Sequence, residues 1–283
     1  MTQEERTSIT DALKEVIARL PGGADSPSGS RGKKLREELE GLSEQLRSRL
    51  AALDPIRQPD SFFDPADPRL FGVFAALALI GMDREPLASL ETNRFYGSGV
   101  YALYYTGGFK AYQPISGTEH PIYVGKADPE MPHARTPRQQ GEKLCGRLNE
   151  HRKNIAKAEN LELADFECRH LVVASGWQTA AESALIGLFK PVWNKEMRIL
   201  LGFGKHGDSA ETRRNKRSPW DVLHAGREWA AAEKYAANLV EDSKSVGEIK
   251  EDVREHFKEN QPVTDIQHIV KELIAQVRTV EAT

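Results

Sequence analysis

The sequence predicts an α/β (α+β) protein: a small mixed sheet flanked by helices, with further helices added at the N- and C-terminal ends. Three observations carry this reading. Two short strand patterns, GVYALYYT from Gly99 to Thr106 and PIYVGK from Pro121 to Lys126, lie close together. They are followed by a helical pattern over 137–159, a strand pattern over 166–174 and a second helical pattern over 179–190. Both ends of the chain carry amphipathic helical periodicity. With 283 residues, 39% hydrophobic and 29% charged, the chain has an ordinary globular composition and room for one or two domains.

Taken in order, Ile9, Leu13, Val16, Ile17 and Leu20 line one face of a helix over 8–20, which PGGADSPSGSRG then breaks. A second helix over 33–53 places Leu35, Leu39, Leu42, Leu46 and Leu50 at spacings of four, three, four and four. That seam either packs on its own core or zips two copies together. Asp67 is a candidate N-cap and Pro68 suits the first helical position of a helix that is apolar nearly all round, and so buried. On the first strand, alternation sends Tyr101, Leu103 and Tyr105 to one face and Val100, Ala102 and Tyr104 to the other. A loop over 106–120, rich in Gly, Pro and Ser, joins it to the second strand. The expected division is an N-terminal helical arm over 1–65, a central domain over 66–230 and a C-terminal helical extension over 231–283.

Several classes are excluded. The N-terminus MTQEERTSIT lacks the basic-then-apolar pattern of a secretory signal, and the longest apolar run, from Phe71, is too short to span a bilayer, so no membrane partner and a cytoplasmic location are expected. Cys145 and Cys168 have the spacing of neither a disulfide framework nor a zinc site. The net charge of −3 is unevenly spread. From Met131 to Lys157 seven Lys/Arg face two acids, and from Lys205 to Arg217 five face two, whereas Ala232 to Thr283 holds seven against eleven. A basic middle fits an anionic ligand, although a solvated helix face reads the same way.

Polar groups interrupt two apolar faces. The helix after the second strand carries Leu144, Leu148, His151 and Ile155 on one stripe, bordered by Arg147 four residues before His151. His151 is either a hydrogen-bonded core residue or a catalyst. On the last helix of the pattern Glu182 shares a stripe with Leu185, Ile186 and Phe189. A carboxylate facing a core requires a partner, either a salt bridge to Arg147 or a metal ion. Magnesium takes one or two carboxylates and fills its other positions with water and phosphate oxygens, so one glutamate suffices. Tyr101, Tyr123, Arg147, His151 and Glu182 together could supply a base, a cation and a metal ligand for phosphodiester cleavage.

These residues resemble the GIY-YIG nuclease superfamily. GVY at Gly99–Tyr101 stands for its first triplet and YVG at Tyr123–Gly125 for its second, followed by RLNEH with Arg147 and His151, AAESALI with Glu182 and PVWN ending at Asn194. The chain is most similar to the type II restriction endonuclease branch that cuts CCGCGG, over roughly Phe95 to Trp229. Valine replaces isoleucine in both triplets, and neither the N-terminal arm nor the acidic C-terminal helices find a match.

The resemblance implies hydrolysis of double-stranded DNA with one Mg2+ (or Mn2+), in which the Tyr101 phenolate takes a proton from water, His151 accepts the phenol proton and Tyr123 orients the pair. It further implies that Arg147 binds the scissile phosphate, Glu182 holds the metal and Asn194 supports the site. Lys126, Lys205, Arg213, Arg214, Lys216 and Arg217 are the DNA-contact candidates. A palindromic site implies a homodimer, and a restriction system implies a cognate DNA methyltransferase. A structure-selective repair or recombination nuclease and a non-catalytic DNA-binding protein on the same fold are the competing expectations.

Overall fold

A computed structural model describes residues 3–20, 29–53, 56, 68–204, 217–230 and 241–278. The chain divides into two units, 1–60 and 61–283. The first holds α1 (Gln3–Arg19) and α2 (Gly29–Leu53). Their apolar stripes are largely open to solvent: Ile9, Val16, Ile17, Leu42, Leu46 and Leu50 are exposed, and Leu13, Leu35 and Leu39 are half-buried. None of the five seam leucines is fully buried, and none belongs to either hydrophobic core among the described residues.

The second unit contains α3 (Pro68–Ile80), β1 (Glu85–Pro86), β2 (Gly99–Tyr105), β3 (Tyr123–Ala127), α4 (Pro137–Gln140), α5 (Lys143–Ala156), β4 (Phe166–Val172), α6 (Gln178–Phe189), α7 (Pro219–Leu223), α8 (Val246–Glu259) and α9 (Ile266–Arg278). Asp67, the expected cap of α3, lies outside the described residues. The helix expected over 137–159 is interrupted at Gly141, whose φ of 74° lies in the left-handed region, leaving one short turn before α5.

The four strands are ordered β1-β4-β2-β3, and every pairing is antiparallel, which corrects the expectation of a mixed sheet. The reason is topological. The chain crosses from β3 through α5 to β4 on the far side of β2, so strands that run the same way, β3 with β4 and β1 with β2, are never neighbours.

Central strand β2 is buried along its whole length because both sheet faces are covered. On one face Tyr101, Leu103 and Tyr105 pack with Leu144, Leu148 and Ile155 of α5 and with Ile249, Val253 and Phe257 of α8. On the other face Val100, Ala102, Tyr104 and Val124 meet α3, α6 and Ile269 and Leu273 of α9. This explains why neither face of GVYALYY reads as polar. Each large apolar side chain buried here contributes on the order of 1.5–3 kcal/mol, so the three from α8 tie that helix to the core beside α7 and the turn Lys110–Ile115. Among the described residues no helix is long and apolar enough to cross a membrane.

Candidate active site

The site forms where β2, edge strand β3 and α5 meet. Antiparallel register sets Tyr101 opposite Gly125 and Leu103 opposite Tyr123, so both triplet tyrosines rise from the same face of the sheet. A Cβ on residue 125 would lie 2.4 Å from the Tyr101 hydroxyl, so only glycine leaves room for the phenol to lie across β3. Gly99 answers a second close approach: a Cβ there would meet the Leu171 carbonyl of β4 at 2.0 Å. The glycines of the two triplets thus fix how the strands pack around the tyrosines.

From α5, His151 reaches the same point. Its Nε2 is hydrogen-bonded to the Tyr101 hydroxyl at 2.6 Å, and both side chains are fully buried. The Tyr123 ring lies 6.1 Å from that of Tyr101 and 5.0 Å from the imidazole. One turn before His151, Arg147 directs its guanidinium to Glu150 at 2.7 Å and to the Gly204 carbonyl at 2.8 Å. The alternative reading of Glu182 as the salt-bridge partner of Arg147 is therefore not what the chain does.

Burial pushes the Tyr101 phenol well above its usual range, Tyr123 adds to this, and the Arg147 charge works in the opposite direction. Burial likewise raises Tyr123, again opposed by Arg147. A phenol held protonated in this way can accept a proton only as it gives up its own, and His151 Nε2 is placed to take it.

Glu182 comes from the other side. Helix α6 packs on the opposite sheet face, and because β3 is an edge strand the Glu182 carboxylate acts on Tyr123 around that edge. It is half-buried, and among the described residues it has neither a hydrogen bond nor a salt bridge. Burial raises it above the usual carboxylate range, with Lys126 opposing and Glu196 reinforcing. No group of three or more His, Cys, Asp or Glu gathers among the described residues. A lone, under-compensated carboxylate suits a hard divalent ion that draws its remaining ligands from water and phosphate oxygens, so the donor set fits magnesium or manganese.

Asn194, buried after α6, clamps β3: its Oδ1 accepts from the Val124 N–H at 2.9 Å and its amide donates to the Val124 carbonyl at 2.8 Å. The middle residue of the second triplet is thus fixed by two hydrogen bonds.

Of the DNA-contact candidates, Lys126 pairs with Asp128 at 2.8 Å and Arg217 with Asp242. Lys205, Arg213, Arg214 and Lys216 lie outside the described residues. Two arginines that charge counting alone did not single out, Arg135 and Arg138, are exposed and form no ion pair among the described residues. Their loop is braced by Gln140, whose amide donates to the Val173 carbonyl at 2.8 Å and the Ser175 hydroxyl at 3.2 Å, and whose Oε1 accepts from the Ser98 N–H at 3.0 Å.

The sequence reading also missed Phe203. It is buried, stacks on His151 with ring centroids 4.6 Å apart, and packs edge-on to Tyr123 at 5.1 Å.

A second Tyr–His pair lies deeper. Tyr112 accepts from Trp193 at 2.9 Å and bonds His224 Nε2, whose Nδ1 meets Asn160 at 2.8 Å. The Tyr112 hydroxyl and both His224 ring nitrogens thus have partners. Burial lowers His224 to about 3, helped by Lys250, so this pair stays neutral and fastens α7 in place.

A small antiparallel sheet that places two tyrosines, an arginine and a histidine on one side of its edge strand, with a carboxylate reaching round from the other, defines a GIY-YIG nuclease. The sequence profile of the Eco29kI GIY-YIG domain matches residues 93–257, more than half the chain, and the chain belongs to that family. It is accordingly a nuclease of the restriction-endonuclease type, with double-stranded DNA as substrate. A comparison with curated proteins returned no match.

Proposed function

We propose that this protein is a type II restriction endonuclease that hydrolyses double-stranded DNA at a short G/C-rich palindrome, CCGCGG, acting as a homodimer with one site per strand. The observation that carries the mechanism is the 2.6 Å hydrogen bond between the Tyr101 hydroxyl and His151 Nε2, buried beside a charged Arg147. Tyr101 takes a proton from the attacking water as its own passes to His151, and Tyr123 and Phe203 hold the pair in register. Arg147 presents its charge to the scissile phosphate, where a guanidinium stabilises the developing negative charge. Glu182 would hold Mg2+ (or Mn2+), and when bound that ion supplies positive charge for the leaving 3′ oxygen. Asn194 keeps Tyr123 in place through Val124. The unpaired Arg135 and Arg138 join Lys126, Lys205, Arg213, Arg214, Lys216 and Arg217 as DNA contacts, since arginine forks suit guanine edges as well as phosphates. A cytosine methyltransferase that protects the same sequence completes such a system.

Purified protein incubated with Mg2+ and plasmids that contain or lack CCGCGG tests this reading. Discrete fragments with defined ends should come only from the site-containing plasmid. Cutting of branched DNA alone would replace it with a repair nuclease, and binding without any cutting would replace it with a DNA-binding protein.

A further inference from the structure

Helix α8, the last but one, carries five acids, yet its charges are sorted rather than mixed. At about 100° per residue, three separate sectors emerge. Ile249, Val253, His256 and Phe257 form the buried side. Lys250, Arg254 and Lys258, each four residues apart, form a stripe beside it, and Glu251, Glu255 and Glu259 form the next. The basic stripe borders a cleft of about 330 Å3 that Lys110, Ala111, Pro114 and Phe257 also line. All four cations are exposed. Lys250 lies 5.7 Å over the Phe109 ring, and Arg254 touches Glu251 at 2.5 Å, an exposed contact of little net strength.

The cleft is joined to the site by continuous ring packing. Tyr123, Phe203, Trp193, Tyr112, Phe109 and the Lys250 ammonium are each within 5.8 Å of the next. Five such steps keep the ridge within about one turn of duplex (34–36 Å) of the catalytic tyrosines. The stripe itself rises about 6 Å between successive cations, so it spans several backbone phosphates of one strand, which recur about every 3.4 Å along the axis.

We infer that Lys110, Lys250, Arg254 and Lys258 form a phosphate-binding ridge for the duplex flanking the cleavage site, a second DNA contact outside the catalytic cleft. The inference rests on the proposed function and names where the same substrate touches the protein next. Because the contact is to backbone, it adds affinity and salt dependence without sequence preference.

The test compares binding of two duplexes, one of about 12 base pairs holding only the recognition sequence and one extended by about one turn, roughly 10 base pairs, on each side. For K250Q/R254Q/K258Q, affinity for the long duplex should fall about tenfold to a hundredfold at 0.1 M salt. The slope of log affinity against log salt should become shallower by roughly two to three, at about 0.9 for each phosphate that the variant no longer neutralises. Binding and cleavage of the short duplex should be unchanged. Lys110→Gln, on a different segment, should reduce the long-duplex slope by about one. Unchanged slopes on the long duplex would overturn the ridge, as would equal losses on both duplexes, which would place these cations in the recognition core or in folding. If the wild type binds both duplexes but cuts neither, the nuclease reading fails while the slopes still judge the ridge.

Discussion

The Tyr101 hydroxyl and the Nε2 of His151 lie 2.6 Å apart, joining the central strand to α5 inside a fully buried pocket. Tyr101→Phe keeps the ring and deletes only the relay atom. Single-turnover cleavage should fall by about 10²–10⁴-fold while DNA affinity stays near that of the wild type. Near-native cleavage would remove Tyr101 from the proton path.

Gly125→Ala acts on the same phenol from the opposite strand. The added methyl would overlap the Tyr101 ring and hydroxyl, a clash that costs about 1–3 kcal/mol and displaces the relay. Denaturant unfolding should show the loss of stability. Tyr101→Phe should not restore it, because the ring carbon Cζ is itself only 2.5 Å from the new Cβ.

Glu182→Gln should abolish divalent-ion-dependent cleavage and leave specific binding intact. In the wild type, burial holds this carboxyl above the usual carboxylate range. Protonation, and with it loss of metal binding, should therefore begin at a higher pH than for an ordinary glutamate. A cleavage-pH profile at saturating Mg2+ and again at limiting Mg2+ checks this, since the acidic limb should move with metal concentration.

Stability should fall in acid through the buried histidines. His120 and His224 are both lowered by burial to about 3, with His256 and Lys250 respectively adding to the effect. In the unfolded chain each titrates near 6.5, so between about 6.5 and 3 the unfolded state binds protons that the folded state refuses. Their contribution is complete above 6.5 and is lost progressively as pH falls toward 3. Urea unfolding across this window should show that His224→Gln removes about one proton from the slope.

Asn194→Ala leaves the Val124 N–H and carbonyl without partners in a buried position. The cost should be about 2–4 kcal/mol in urea unfolding, with cleavage reduced through the neighbouring Tyr123. A variant as stable as the wild type would mean that water replaces the amide.

Much of this arrangement was legible in the residues. Strand alternation placed Tyr101, Leu103 and Tyr105 together, and helical spacing placed Arg147 and His151 on one side of α5, because both depend only on local periodicity. What could not be read locally was pairing. The side on which β4 joins β2 is decided by the crossover through α5, which is why the expected mixed sheet is antiparallel. The salt bridge between Glu182 and Arg147, one of two alternatives that the residues leave open, does not form, since Glu150 one turn on and the Gly204 carbonyl take the guanidinium. Phe203 escaped notice because its role rests on stacking with His151, a residue far away in sequence. The leucine stripe of α2 has the right spacing but no core to meet among the described residues, since periodicity reports that a face wants cover and not what supplies it.

Edge strand β3 presents the outward amide and carbonyl of Val124 to the Asn194 side chain, which answers both as another strand would. The sheet is thereby finished by a single residue at the point where it would otherwise invite a foreign strand. A second copy of the chain that extended the sheet at Val124 would first have to break both of these bonds. A twofold assembly built on other surfaces would leave both bonds intact.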